Sequence, residues 1–201
     1  MLEAIDACFN SELQMQADDV LPKGHIYRLG HPGKILLLAG IQDLPMELSA
    51  DKLSRKSSKC YYNNHPFDIS EAKGLPKAIN SPIAVFNSTK KDGAKIILTE
   101  LKDRSGVNFV AAIKIRGYAL GRKTCSPVNS VVSVYPKDDI KGLINWINSG
   151  NKLICWVDKE KALDFVSTQS TSLIAGENST QGLNLKLFES AKNVISNFRN
   201  P

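Results

Sequence analysis

The stretch "PIAVFNSTKKDGAKIILTELKDRSGVNFVAAIKIRG" (residues 82–117) decides the fold. It contains three runs of strand character, "PIAVFNS", "KIILTEL" and "NFVAAIKIRG", built from the branched and aromatic residues that suit a pleated, half-buried surface. "KKDGA" and "KDRSGV" separate them. Both end in hairpin chemistry, because glycine accepts positive φ without steric cost. The prediction is a three-stranded antiparallel meander. A fourth strand, "VNSVVSVYP" (residues 128–136), follows the less regular "YALGRKTCSP".

Upstream, "MLEAIDACFNSELQMQADDV" reads as an amphipathic helix with Leu2, Ile5, Phe9 and Leu13 on one side. Pro-Gly punctuation brackets the apolar run Ile35 to Ala39, which fits either a buried strand or a short helix. "LPMELS" (residues 44–49) reads as a short strand, with Ser49 placed to cap a helix over "ADKLSRKSSK". Ser70 is the expected cap of a helix over "EAKGLPKAI", kinked or restarted at Pro76. Downstream, "KDDIKGLINWINSG" carries acidic residues at its start and Gly150 past its end, as a capped helix should. "KLICWV" adds a strand and "DKEKALDFVST" a helix. "QSTSLIAGENSTQG" (residues 169–182) reads as a flexible linker before a last amphipathic helix, "LNLKLFESAKNVISNFR".

The predicted class is α+β: N-terminal helices, then an antiparallel sheet of four or more strands, then C-terminal helices. The predicted organisation is an N-terminal extension over 1–24, a main domain over 25–168, and a linker with a helix over 169–201. No β-α-β alternation and no glycine-rich phosphate loop is visible, so nucleotide-cofactor folds lose their usual support. No cofactor is expected.

Of the 201 residues, 42% are hydrophobic and 23% charged, which is ordinary globular composition. The net charge of +6 is unevenly spread. Residues 1–50 hold three basic and seven acidic side chains, residues 51–141 seventeen and eight, and the remainder six and five. The middle therefore carries +9, a balance that attracts a polyanion such as RNA, although a solvated lysine-rich face gives the same count. Cys8, Cys60, Cys125 and Cys155 stand far apart and read as reduced thiols. No apolar run has the length of a bilayer span, and "LEAIDACFN" after Met1 is too acidic for a secretory signal. The expectation is a cytoplasmic protein with no membrane partner.

His25 and His31 lie six apart, which matches neither a helix face nor a strand face, so no metal site is expected and both read as structural or exposed. Serine and cysteine nucleophile signatures are absent. Arg28 and "STS" (residues 170–172) give the outline of an ADP-ribosyltransferase, but no E-x-E or Q-x-E follows. Metal-free RNA cleavage asks for less: a base for the 2′-hydroxyl, an acid for the leaving oxygen, and cations for the charge building on phosphorus. His65 is the one histidine of the basic middle. Glu100 sits on the second meander strand, Lys114 and Arg116 share a face of the third by their spacing of two, and Tyr135 ends the fourth. Each also has a bland reading, as a loop boundary, a solvated strand residue or a half-buried ring.

"HIYRLGHPGKILLLAGI", "LPMELS", "LSRKSS", "HPFDIS", "LPKAINSPIAVFNS", "TELKD", "VNSVVSVYPKDD" and "INWINSGNKLICWVDKEKALDF" together resemble a phage and mobile-element family. It is the branch of the barnase, EndoU, colicin and RelE-like nuclease superfamily found as the C-terminal toxin-like domain of MuF-type phage proteins. The resemblance implies a helical front, a four-stranded antiparallel sheet and metal-independent ribonuclease activity on RNA, tRNA among the candidates. An immunity or inhibitor protein is a candidate partner. It makes His65 a general base or acid and Tyr135 and Ser133 substrate contacts. Asn129 joins them as a polar position of the fourth strand, and Lys59, Lys114 or Lys137 stabilise charge. No second histidine stands in the expected sheet, so Glu100 or a tyrosine completes the proton relay, or the domain is inactive. The competing reading is a non-catalytic module of the same fold that binds nucleic acid or protein.

Overall fold

The computed structural model describes residues 1–57, 66–90, 92–118, 127–176 and 181–201. Helix α1 (Leu2–Ala17) leads to strand β1 (Ile26–Arg28), the short helix α2 (Lys34–Leu38), strand β2 (Met46–Ser49) and helix α3 (Ala50–Ser57). A 3-10 turn (Ile69–Ala72) and helix α4 (Leu75–Asn80) precede strands β3 (Ala84–Asn87), β4 (Ala94–Lys102), β5 (Asn108–Tyr118) and β6 (Pro127–Pro136). Helix α5 (Ile140–Asn148), strand β7 (Ile154–Val157) and helices α6 (Lys159–Gly176) and α7 (Gln181–Asn197) complete the chain.

The expected meander is present: β3, β4, β5 and β6 pair antiparallel in succession. At the β4–β5 turn, Asp103 Oδ1 accepts from the amides of Ser105 and Val107, and Gly106 takes φ +81°, a region where a Cβ would be strained. The sheet extends at both edges, giving the order β1-β2-β6-β5-β4-β3-β7. β7 pairs antiparallel with β3, whereas β2 pairs parallel with β6, so the α+β sheet is mixed and mostly antiparallel. Among the described residues, no helix is long and apolar enough to cross a membrane.

Helices cover both faces. On one, Phe9 and Leu13 of α1, Leu53 of α3 and Leu75 and Ile79 of α4 bury against Tyr27, Met46, Leu48, Ile97, Ala111, Ile113 and Val131. Phe9 and Tyr27 stack at 4.9 Å, and the Tyr27 hydroxyl donates to Gln16 Oε1. Gln16 in turn donates to Ala50 O and Ser54 Oγ of α3, so α1 is stitched to the body at two elements. Burial and the nearby Glu12 carboxylate push the Tyr27 hydroxyl well above its ordinary pKa. On the other face, Leu143, Ile144 and Ile147 of α5, Phe165 of α6 and Phe188 and Ile195 of α7 bury against Ala84, Phe86, Leu98, Val110 and Val157.

One open local expectation is resolved and two change. Residues 35–38 form part of a helix, since the glycines at 33 and 40 leave room for little more than one turn. Asp68, not Ser70, caps the 3-10 turn: its carboxylate accepts from the Ser70 amide and from the Ser70 hydroxyl. Helix resumes at α4 with Pro76 in its first turn, where its missing N–H costs nothing. The stretch read as a linker is helical as far as Gly176, because α6 continues without a break through "QSTSLIAG"; residues 177–180 lie outside the described ones.

Candidate functional site on the sheet

β6 decides which side chains meet. Its residues pair with β5 as Val131 with Ile113 but Ser133 with Ala112, leaving Val132 as an extra residue. Such a bulge reverses the facing of everything beyond it. Asn129 and Val131 therefore face the N-terminal helices, while Ser133 and Tyr135 face the opposite way. Simple alternation would have put all four on one face.

On the Tyr135 face, one row of paired residues crosses four strands: Arg28 with Glu47, Glu47 with Ser130, and Ser130 with Lys114. Directly paired residues hold their side chains on one face about 5 Å apart. Arg28 and Lys114 are exposed at the ends of this row, and Glu47 and Ser130 are buried at its centre. Ser133 and Tyr135 continue the strip along β6, so that Tyr135 lies ~16 Å from Ser130 at ~3.3 Å per residue. Lys56, in the last turn of α3, places Nζ 5.4 Å from the centre of the Tyr135 ring, a cation–π contact. Among the described residues, the fully buried part of the apolar cluster under α5–α7 takes none from β1, β2 or β6, and Tyr135 packs against its edge. Glu47, Ser130 and Ser133 occupy the rest of that half of the face.

The remaining expected site residues lie elsewhere or outside view. Asn129 is fully buried and its amide nitrogen donates to Gln42 O (2.7 Å) and Leu44 O (3.0 Å), so it pins the loop before β2 and is not placed to touch a ligand. Glu100 sits in an irregular stretch of β4 and pairs with Lys161 of α6 at 2.5 Å, two strands away from Tyr135. Lys137 follows β6, pairs with Asp139 at 3.1 Å and lies 5.1 Å from the Trp146 ring centre. For Arg116, only the backbone within β5 is described; the register there advances three residues on β5 against two on β6, so the spacing of two from Lys114 no longer fixes a common face. His65 and Lys59 lie outside the described residues. The residues flanking that segment converge at the Tyr135 end of the strip. Lys56 meets the Tyr135 ring, and Phe67 packs at 5.0 Å on Phe109, the partner of Pro136. Ser57 and Pro66 line one cavity of about 400 Å³ with Arg104, whose guanidinium bonds Glu71 (2.5 Å) and Asp68 (3.1 Å).

Glu47, Ser130 and the siting of Arg28 escaped the sequence reading. A signal for Glu47 was present: in "MELS" an alternating strand turns the glutamate away from Met46 and Leu48, and a carboxylate is rarely buried without reason. His25 Nε2 lies 3.2 Å from Glu12, tying β1 to α1, and His31 Nδ1 lies 2.7 Å from Asp43 Oδ1. Ser170 and Thr171 stand on α6 with their hydroxyls donating to Ser167 O, which removes the strand that an ADP-ribosyltransferase motif needs. Among the described residues, no group of three histidine, cysteine or acidic side chains is disposed to hold a metal ion.

The family model of the phage MuF C-terminal domain matches residues 56–164, more than half of the chain. The chain belongs to that family. No characterised protein and no solved structure matches it. The span shared with other MuF C-terminal domains runs from the end of α3 to the first turns of α6. It contains Lys114, Ser130, Ser133, Tyr135 and the segment with His65, whereas Arg28 and Glu47 come from β1 and β2 ahead of it.

Proposed function

We propose that this MuF C-terminal domain is a metal-independent endoribonuclease, acting as a toxin-like effector of a phage or mobile element. The observation that carries the reading is the polar strip of Lys114, Ser130 and Ser133 on one sheet face, ending at Tyr135, whose ring packs against the apolar cluster beneath α5–α7. Its length suits two to three nucleotides laid along β6. In this mechanism a base removes the 2′-hydroxyl proton, the O2′–P bond forms, and the P–O5′ bond breaks as an acid protonates the departing 5′-oxygen, leaving a 2′,3′-cyclic phosphate. His65 is one member of the acid–base pair. Tyr135 is the better second member than Glu100, because it shares the strip with Ser133 and Ser130 on β6, whereas Glu100 lies two strands away beneath α6. Lys114 and Lys59 offset the charge that develops on phosphorus, and Ser133 donates to a phosphate oxygen. An inhibitor partner would act by covering this strip.

The test is incubation with total tRNA in excess chelator. Cleavage that persists there, ends in cyclic phosphate and disappears in His65→Ala supports the enzyme. RNA that stays whole while binding weakens steeply with salt overturns it in favour of a binding module.

A further inference from the structure

A second cavity, of about 320 Å³, opens at the far end of β6 from Tyr135. Pro45, Pro127 and Val128 give it apolar walls, Arg28 and Glu47 of the cross-strand row border it, and His31 stands at its rim. The volume lies at the small end of the range for ligand sites and suits a single flat ring with its sugar. Its polar groups are of two kinds. An ionised carboxylate only accepts hydrogen bonds and a guanidinium only donates them. Together they match an edge that offers an N–H beside a carbonyl. The Asp43 carboxylate, 2.7 Å from Nδ1, fixes the His31 ring and its tautomer and leaves Nε2 as the nitrogen for a ligand. β1 and β2 lie ahead of the residues that the family model matches, whereas Pro127 and Val128 lie within them, so the cavity is built where the two parts of the chain meet.

We propose that this cavity is a nucleobase subsite for an unpaired guanine or uracil of the RNA substrate. Both bases carry an imino N–H flanked by a carbonyl; adenine and cytosine do not. Glu47 accepts from the imino N–H, Arg28 donates to the carbonyl, and His31 meets the adjoining sugar or phosphate. The apolar walls require an unstacked base, which restricts the site to single strands and loops. The inference rests on the reading of the chain as an RNA-binding enzyme and adds to it a base preference two to three nucleotides from the bond cut.

Titration of the full chain with the four nucleoside 5′-monophosphates, followed by calorimetry or chemical shifts, tests it without any need for cleavage. Guanylate and uridylate should bind about tenfold or more tightly than adenylate and cytidylate. Arg28→Ala, at an exposed position, and Val128→Trp, which fills the cavity, should each abolish that preference, while Glu189→Gln on α7 keeps it. Equal binding of all four nucleotides, or a preference that survives both cavity variants with unchanged circular dichroism, overturns the assignment. Discrimination by a chain that leaves RNA intact would defeat the nuclease reading and keep the subsite. Cleavage with no discrimination would do the reverse.

Discussion

Asn129→Leu separates a structural asparagine from a substrate contact. Leucine keeps the branched outline of asparagine and is bulkier, so no cavity is left behind. The two amide hydrogen bonds to Gln42 O and Leu44 O are lost at a fully buried position. Each such bond contributes about 1 kcal/mol net, and a carbonyl left buried without it costs roughly 1–3 kcal/mol. The loop between α2 and β2 can shift toward water and recover part of this, while the Asn129 amide keeps its own bond to Pro45 O at 2.8 Å. The loss should therefore come to ~2–4 kcal/mol. With a urea dependence of about 2 kcal/mol per molar, the unfolding midpoint should fall by roughly 1–2 M. Because the same loop carries Asp43 and Pro45, mononucleotide binding should weaken alongside. A midpoint moved by less than ~0.3 M, together with lost RNA affinity, would return Asn129 to the role of a ligand contact and refute the reasoning.

Phe9→Ala should cost ~3–5 kcal/mol, because the ring is fully buried against Tyr27; thermal unfolding reads it, and a change under ~1 kcal/mol would mean that α1 is an appendage. Asp68→Ala should cost about 1 kcal/mol at pH 7 through loss of the cap. Hydrogen bonds from the Ser70 hydroxyl and amide, then Arg104, hold the Asp68 carboxyl below the ordinary carboxylate range in the folded state. Its stabilisation is therefore present above the unfolded pKa of about 4 and is lost as pH falls through the folded value, so wild type and variant should converge in acid unfolding curves. Lys114→Ala should reduce the slope of log affinity against log salt by ~0.7 for single-stranded RNA; an unchanged slope would take Lys114 off the phosphate path.

The parts of the fold legible in the sequence were those fixed by short-range chemistry. "KDGA" declares its hairpin through glycine, "DRSG" through glycine and an aspartate that bonds its own turn, and "DDIKGLINWINSG" declares a helix by its Asp139 cap and by Gly150 at φ +54°. The misplaced parts depend on neighbours distant in sequence. An alternating pattern in "NSVVSVY" has no way of announcing that Val132 is an extra residue, because the bulge exists only in the register with β5. The continuation of α6 through "QSTSLIAG" is similar: serine and threonine are indifferent helix formers whose local preference is overridden by their surroundings. In the candidate site, Tyr135, Ser133 and Lys114 could be read from the strands that carry them. Glu47 and Arg28 could not be joined to them, since the β2–β6 pairing spans some eighty residues of intervening chain.

That pairing also explains why the family span alone does not make the site. Within residues 56–164, β6 would be an edge strand, with the backbone groups of Asn129 to Val131 open to any other strand. β2 closes this edge by lying parallel to it, and β1 then closes β2. The connection is held by apolar burial ahead of the span, where Phe9, Leu13, Tyr27, Leu29, Leu36, Ile41, Met46 and Leu48 are each 0–1% exposed. Even at ~1.5 kcal/mol apiece, the gross stabilisation from these side chains is on the order of the whole stability of a domain. The front of the chain thus cannot be a loose extension laid on a self-sufficient core. Through the same two strands that protect the edge, it brings a carboxylate and a guanidinium into the polar row, so that edge protection and construction of the site follow from one packing event.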